Sequence, residues 1–209
     1  MHIKSGNIKE AEIYLLKSIK IRKEKIGELS HLFASTYANL GSLYIAKRDL
    51  KKAQNLVFKG LNIHLYLSGE NIDHVALCYI YLGELYLFKQ PNKNSIKAKN
   101  LLNKAYNILL QFFGMSSQHE LVFFALQHLT TFHSESGNMK NFEKTVEKLF
   151  SMPHMNFNQN NLLYLIYAQT FLENGNLDKA RQCFLKYMNI FFYTIEGENK
   201  LLIFCTKNS

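Results

Sequence analysis

The sequence predicts an all-α protein in which antiparallel helix pairs stack in a row. The segment Tyr37–Tyr44, with the letters YANLGSLY, returns 42 residues later at Tyr79–Tyr86 as YIYLGELY. Small residues recur at the same spacing, since Gly27, Ala34 and Gly41 have counterparts at Gly69, Ala76 and Gly83. A fixed period of this size is typical of repeat proteins, whose units bury a core only by stacking on their neighbours.

A capping pattern gives the order of the helices. An Asn or Asp stands four residues before a small or apolar residue in five places: Asn7, Asp49, Asn94, Asn138 and Asn176. Three of these residues directly follow a glycine, at Gly6, Gly137 and Gly175. A glycine that ends one helix and an Asn that begins the next leave a very short turn, so each cap predicts a tight antiparallel pair.

These caps predict the bounds of both helices in every pair. The first helices are expected at about 29–47, 73–89, 118–136 and 160–174. The second helices are expected at about 8–26, 50–67, 95–113, 139–150 and 177–195. An insertion at 90–94 lengthens one turn, and Pro153 excludes an unbroken helix through the loop at 152–161.

The predicted organisation is a single repeat domain over residues 1–209. It comprises a half repeat at 1–27, repeats at 29–69 and 72–114, divergent repeats at 117–152 and 158–196, and a tail at 197–209. The chain begins at a second helix, and residues 200–205 are apolar where a polar cap is usual. We therefore expect a fragment of a longer array, or ends that pack on something else, including another copy of the chain.

The repeated segments resemble those of tetratricopeptide repeat (TPR) proteins. Leu40–Tyr44 and Leu82–Tyr86 match the Leu-Gly-x-Leu-Tyr signature of the first helix in that family. The small position of the second helix is filled by Ala53, Ala98 and Ala180. The resemblance is strong over 5–114 and weaker over 115–196. It implies a TPR-type α-solenoid, a right-handed superhelix of antiparallel helix pairs whose first helices line a concave groove.

The period is most similar to that of the longer kinesin-light-chain subtype. The Gly-Glu pairs at 27–28 and 69–70 also fit this subtype. The His-Pro-Asp of its linker is absent, because Ile72-Asp73-His74 occupies that place.

Catalytic and metal-binding motifs are missing from the sequence. The three cysteines, Cys78, Cys183 and Cys205, lie far apart, which argues against both a zinc ribbon and a disulfide framework. No HExxH pair and no glycine-rich phosphate loop is present. We therefore expect no enzyme activity, no cofactor and no metal, and a cytoplasmic protein with reduced thiols. No apolar run is long enough to cross a membrane, and the first residues lack the apolar run of a signal peptide.

The placement of the charge is the main functional clue. The net charge is +9, yet no Lys or Arg occurs in 26–46, 60–88, 105–139 or 149–178, the windows that contain the predicted first helices. By resemblance, the groove is therefore free of cations. Such a groove is unsuited to the acidic peptides that TPR proteins of chaperones and kinesin light chains hold with basic groove residues.

A mostly apolar and neutral groove suits an amphipathic helix or an extended apolar peptide. Its expected lining is Ser35, Ala38, Ser42 and Ile45, then Leu77, Ile80, Glu84 and Leu87, then Gln127, Thr131 and Ser134, then Leu165, Gln169 and Leu172. The alternative for each of these residues is burial by a neighbouring repeat.

The predicted function is that of a protein–protein interaction adaptor or scaffold with one or more protein partners and no membrane insertion. By family analogy alone, a cytoskeletal or axonemal location is expected. One alternative is association with RNA or ribosomes through the Lys-rich second helices, although Arg occurs only at Arg22, Arg48 and Arg181. The other is that the chain is the repeat module of a larger enzyme.

Overall fold

The computed structural model describes residues 8–70, 72–89, 95–114, 119–152 and 161–189, and this part of the chain is helical throughout apart from short connections. Its helices are α1 (Ile8–Ile26), α2 (His31–Ala46), α3 (Leu50–Ser68), α4 (Asp73–Lys89), α5 (Ile96–Phe113), α6 (Glu120–Glu135), α7 (Met139–Phe150), α8 (Asn161–Glu173) and α9 (177–189). The bounds agree closely with those expected from the caps. The prediction of an all-α fold with helices packed in adjacent pairs is confirmed.

Contacts divide the chain into two compact units, Met1–Pro153 with α1–α7 and His154–Ser209 with α8 and α9. In the first unit, α2, α4 and α6 lie side by side, and each packs on the helix that follows it, namely α3, α5 and α7. The core lies between these two sets of helices and is built from fully buried side chains such as Phe33, Leu43, Leu85, Leu102 and Phe142. In the second unit, α8 and α9 bury Tyr164, Phe171, Ala180 and Cys183.

Side-chain caps begin the second helices, as the sequence predicts. The Oδ1 atoms of Asp49, Asn138 and Asn176 each accept a hydrogen bond from the backbone N–H three residues later, at 3.1, 3.2 and 3.2 Å. The predicted caps Asn7 and Asn94 lie outside the described residues. For α5 the cap is Ser95, whose Oγ accepts from the Ala98 N–H at 3.2 Å. Each cap satisfies a donor that the first turn leaves without a partner.

In the three helix pairs whose turns are described, the turn places one residue in the left-handed region. Gly137 and Gly175 have φ of +68° and +75°, and Arg48 occupies the equivalent position between α2 and α3 with φ of +63°. A residue with a Cβ strains the backbone there by about 1–2 kcal/mol, so the Arg48 side chain is held at a position that usually belongs to glycine.

Mid-helix glycines allow the helices of a pair to approach closely. A Cβ on Gly41 would lie 2.4 Å from Val57 Cγ2, and a Cβ on Gly83 would lie 2.6 Å from Leu102 Cδ2. These distances show that the repeated glycine of the first helix lies directly against a side chain of the following second helix.

Within the described residues, no helix combines the length and the apolar character that crossing a membrane requires.

Candidate functional site

The helices α2, α4 and α6 share a surface that is only partly covered. In α2 the partly exposed positions include Ser35, Asn39 and Ser42, and in α4 they include Leu77 and Glu84. Leu77 and Glu84 stand 42 residues after Ser35 and Ser42, so the sequence period repeats on the surface as well as in the core. In α6 the corresponding stripe contains Phe124, Gln127, His128 and Thr131. We call this surface the α2/α4/α6 face.

Tyr81 links the three helices at the centre of the face. Its hydroxyl donates to Asn39 Oδ1 in α2 at 3.4 Å, and its ring meets that of Phe124 in α6 edge-on, with centroids 6.4 Å apart. Tyr81 is 7% exposed. Burial raises the pKa of Tyr81 to about 12, a shift that hydrogen bonding to Ser42 partly opposes. The phenol is therefore a neutral donor at physiological pH.

Glu84 is the acidic group of this face. It is partly buried, and burial raises the pKa of its carboxyl from 4.5 to about 7, while the charge of Arg48 acts in the opposite direction. No hydrogen bond or ion pair joins Glu84 to another of the described residues. The Arg48 guanidinium instead stacks on the ring of Phe88, 3.7 Å from its centroid.

Phe124 and His128 give the α6 part of the face an aromatic and uncharged character. Their rings meet edge-on with centroids 4.6 Å apart. Burial lowers the pKa of His128 to about 4, so its imidazole is neutral at pH 7. One turn further on, the Thr131 hydroxyl donates to the Gln127 carbonyl at 3.1 Å and is thereby already occupied by its own helix.

The structure brings together part of the lining that the sequence predicts. Six of the predicted residues are partly exposed on the α2/α4/α6 face: Ser35, Ser42, Leu77, Glu84, Gln127 and Thr131. Ser134, also in α6, is partly exposed. Three others belong to α8 in the second unit, where Leu165 is partly exposed, Gln169 and Leu172 are exposed, and Gln169 Nε2 donates to Glu173 Oε1 at 2.9 Å.

Four predicted lining residues are buried, which is the alternative that the sequence analysis left open for each of them. Ala38, Ile45, Ile80 and Leu87 are 2%, 1%, 0% and 7% exposed. Each lies three residues beyond a partly exposed position, and this step turns the side chain towards an adjacent helix. A first helix that packs against a partner on either side leaves only a narrow stripe open, at 35, 39, 42 and 46 in α2.

The sequence analysis did not identify Asn39, Tyr81, Phe124 or His128 as members of this surface. The 42-residue period could have indicated Tyr81, because Tyr81 is the counterpart of Asn39. No periodic signal marks Phe124 or His128, since α6 lies in a divergent repeat.

The expected absence of cations from the first helices applies to most of the α2/α4/α6 face. Neither α2 nor α6 contains Lys or Arg, and α4 contains only its last residue, Lys89. Arg48, immediately after α2, is near enough to act on the Glu84 carboxyl.

Several lysines of the second helices are held over tyrosine rings of the first helices. Lys59 lies over Tyr37 at 4.4 Å, and Lys104 lies over Tyr79 at 4.7 Å, in equivalent positions of two repeats. Lys52 and Lys97 lie over Tyr44 and Tyr86 in the same way, at 4.0 and 5.6 Å. These cations therefore have a role within the fold.

A second polar group, the histidine cluster, lies where α2, α3 and α4 meet. It contains His31, His64 and His74, whose ring centroids are 5.1 to 6.1 Å apart. His31 Nδ1 and His64 Nδ1 are 2.9 Å apart, so one of them donates a hydrogen bond to the other. Their second nitrogens face Ser68 Oγ at 2.8 Å and Ser35 Oγ at 3.3 Å, respectively.

Burial lowers the pKa of His64 to about 4, with His74 and His31 acting in the same direction. Among the described residues no group of three or more His, Cys, Asp or Glu side chains is arranged to hold a metal ion. In the histidine cluster both nitrogens of His31 and of His64 already face other protein atoms, which leaves too few of them to converge on a cation.

The described cysteines are not nucleophiles. Cys78 and Cys183 are buried, and burial raises the pKa of their thiols to about 12 and about 11. Both therefore remain protonated at neutral pH. Cys205 lies outside the described residues.

The comparisons with known proteins concern the repeat and the fold. Residues 163–191 match the family model described as Tetratricopeptide repeat. Among solved structures, the chain is similar to the crystal structure of BtubC (BKLC) from P. vanneervenii, with a TM-score of 0.71 and 18% identity over 90% of this chain and 75% of that chain. No curated protein matches the chain significantly in sequence.

The family-model match confirms the recognition of a tetratricopeptide repeat, and the structural match bears on the fold. The helical architecture is that of TPR proteins. Domains of this kind generally mediate protein–protein interactions and are typically not catalytic.

Proposed function

We propose that the protein is an adaptor or scaffold that binds a peptide or helix of a partner protein on the α2/α4/α6 face. The observation that carries the proposal is the stripe of partly exposed side chains across three neighbouring helices, which are neutral or aromatic apart from Glu84. Such a surface offers apolar contact together with a few oriented polar groups, the combination that peptide grooves use. The interaction function of TPR domains in general supports it.

The test is a comparison of two variants with matched chemistry. Leu77→Glu places a charge on the α2/α4/α6 face, whereas Tyr66→Glu places one on α3 at a side chain that is 75% exposed. Ile80→Glu is unsuitable, because Ile80 is fully buried and a carboxylate there would unfold the repeat. Circular dichroism and thermal melting establish that both variants are folded.

The variants are compared with the wild-type chain by quantitative affinity purification from nuclease-treated lysate. A bound protein that is retained by wild type and Tyr66→Glu and lost by Leu77→Glu is the expected result. A folded Leu77→Glu chain that retains every partner would contradict the proposal.

The second candidate function is association with RNA or ribosomes, and the net charge of +9 favours it. The charge lies mainly on the second helices, as in α1, α3, α5 and α7. Recovery of a partner that disappears after nuclease treatment, and that Leu77→Glu leaves unchanged, would favour this function over the first.

A further inference from the structure

Glu84 is chemically distinct from the rest of the α2/α4/α6 face. Its charge acts on the neutral phenol of Tyr81, and the other partly exposed residues of the face are uncharged. Among the described residues Arg48 is the cation that acts on it, and the Arg48 guanidinium is engaged with the ring of Phe88. The carboxyl therefore has neither a hydrogen-bond donor nor an ion-pair partner from the described residues.

A partly buried carboxylate without a partner is unfavourable, because it loses contact with water and gains nothing in return. A bound cation would relieve this cost, and it would find no competing positive charge on α2 or α6. A bound anion would instead be repelled by the Glu84 carboxylate. Charge complementarity thus indicates a positively charged group in the partner.

We propose that Glu84 anchors a Lys or Arg side chain of the partner segment, while apolar residues next to that side chain pack on Leu77 and Phe124. This inference rests on the proposed function, since it specifies the chemistry of the segment that the α2/α4/α6 face receives. The partner is accordingly a basic and apolar peptide or helix.

Because Glu84 is the anchor, the affinity for the partner segment depends on the protonation state of its carboxyl. The carboxyl with a pKa of about 7 is partly protonated in the free protein, and a Lys or Arg pairs only with its ionised form. Tyr81, on whose hydroxyl the Glu84 charge acts, stays neutral between pH 6 and pH 8 because its pKa is about 12, and Arg48 is the cation that acts on Glu84. Affinity is therefore expected to rise about tenfold from pH 6 to pH 8.

The test uses a library of random 12-residue peptides displayed on phage and selected against the full chain. Enriched peptides are synthesised, and their affinities are measured by isothermal titration calorimetry at pH 6, 7 and 8. The variant is Glu84→Gln, and the matched control is Glu120→Gln, which removes the same charge at an exposed position of α6. Loss of binding to Leu77→Glu shows that a peptide binds on the α2/α4/α6 face.

The expected peptides carry a Lys or Arg at a fixed position among apolar residues. At pH 8 these peptides are expected to bind Glu84→Gln at least tenfold more weakly than wild type. Their affinity for Glu84→Gln is expected not to change with pH, whereas Glu120→Gln should behave as wild type. A different outcome is a set of peptides that lose binding to Leu77→Glu, yet contain no basic residue and bind Glu84→Gln as tightly as wild type. That result would overturn the role of Glu84 as an anchor and would leave the proposed function standing. Selection of no peptide that depends on Leu77 would overturn both.

Discussion

Gly60 and Gly83 both lie where two helices approach closely, yet they face different kinds of atom. A Cβ on Gly60 would lie 2.7 Å from the Ala34 carbonyl oxygen, which belongs to the backbone of α2. A Cβ on Gly83 would lie 2.6 Å from Leu102 Cδ2, which is the end of a side chain. A methyl group can rotate away from an added atom, whereas a helical backbone can yield only if the helix moves.

Gly60→Ala is therefore expected to lower the free energy of unfolding by about 2 kcal/mol, and Gly83→Ala by less. The cost of overpacking, about 1–3 kcal/mol, exceeds the gain of about 1 kcal/mol from replacing a glycine within a helix. Urea denaturation followed by far-UV circular dichroism measures both values. A Gly60→Ala chain as stable as wild type would contradict the close approach of α2 and α3.

The carboxyl of Glu84 makes stability depend on pH. Its pKa is about 7 in the folded chain and 4.5 when fully solvated, so the folded chain holds this proton more tightly than the unfolded chain does. The resulting stabilisation is fully present below pH 4.5 and is lost as the pH rises through 7.

Because Glu84→Gln removes this loss, the variant is expected to be more stable than wild type by about 1–3 kcal/mol at pH 8 and nearly equal to it at pH 5. Urea denaturation at the two pH values gives the comparison. Glu120→Gln, at an exposed position, serves as the control and should follow wild type at both. A Glu84→Gln difference of the same size at both pH values would exclude burial as its cause.

At the scale of the helices, the histidine cluster joins the start of α2 to α3 and to the start of α4. His64 is 1% exposed, and His31, His74 and Asp73 are the ionisable groups that act on it. Its pKa is about 4 in the folded chain and 6.5 when fully solvated. The unfolded chain therefore binds the proton more tightly, and stability is complete above pH 6.5 and declines as the pH falls towards 4.

The loss of stability between pH 7 and pH 4.5 is accordingly expected to be smaller in His64→Gln than in wild type, by about 1–3 kcal/mol. The variant removes one group that must accept a proton on unfolding, while His128 continues to contribute in both chains. Guanidinium chloride denaturation at the two pH values measures the loss of stability in each chain. If wild type and His64→Gln lose the same free energy of unfolding between the two pH values, the histidine cluster does not contribute to the acid sensitivity of this helix junction.

At the scale of the whole molecule, the net charge of +9 is spread over alternate helices. Four of the lysines lie over tyrosine rings, namely Lys52, Lys59, Lys97 and Lys104. A further lysine, Lys47, is paired with Glu12 at 2.6 Å. Cations that are used within the fold, and that are separated by first helices with no Lys or Arg apart from Lys89, do not form a continuous track for a phosphate backbone.

A single-stranded RNA of about 20 nucleotides is therefore expected to bind only non-specifically, with a dissociation constant of about 10–100 µM at physiological salt. Fluorescence anisotropy over a range of salt concentrations measures this affinity. Tight binding at physiological salt that falls steeply as salt is added would establish the RNA function in place of the adaptor.

The sequence by itself determined the repeat, the helix bounds and the residues that begin and end the helices. This was possible because caps, turn glycines and the small residues of helix contacts act locally or recur with a fixed period. Asp49, Asn138 and Gly41 are examples whose predicted roles the structure confirms. The absence of Lys and Arg from α2 and α6 was likewise visible in the sequence.

Only the tertiary structure decided which side of each first helix remains accessible. Ala38 and Asn39 are adjacent in sequence, but Ala38 is buried while Asn39 is partly exposed. The difference depends on how α3 and α4 lie against α2. Residues three and four positions apart lie on the same face of a helix, so periodicity alone does not tell which of them a neighbouring helix covers. The meeting of His31, His64 and His74, and the raised pKa of Glu84, likewise arise from contacts and burial between helices that are distant in sequence.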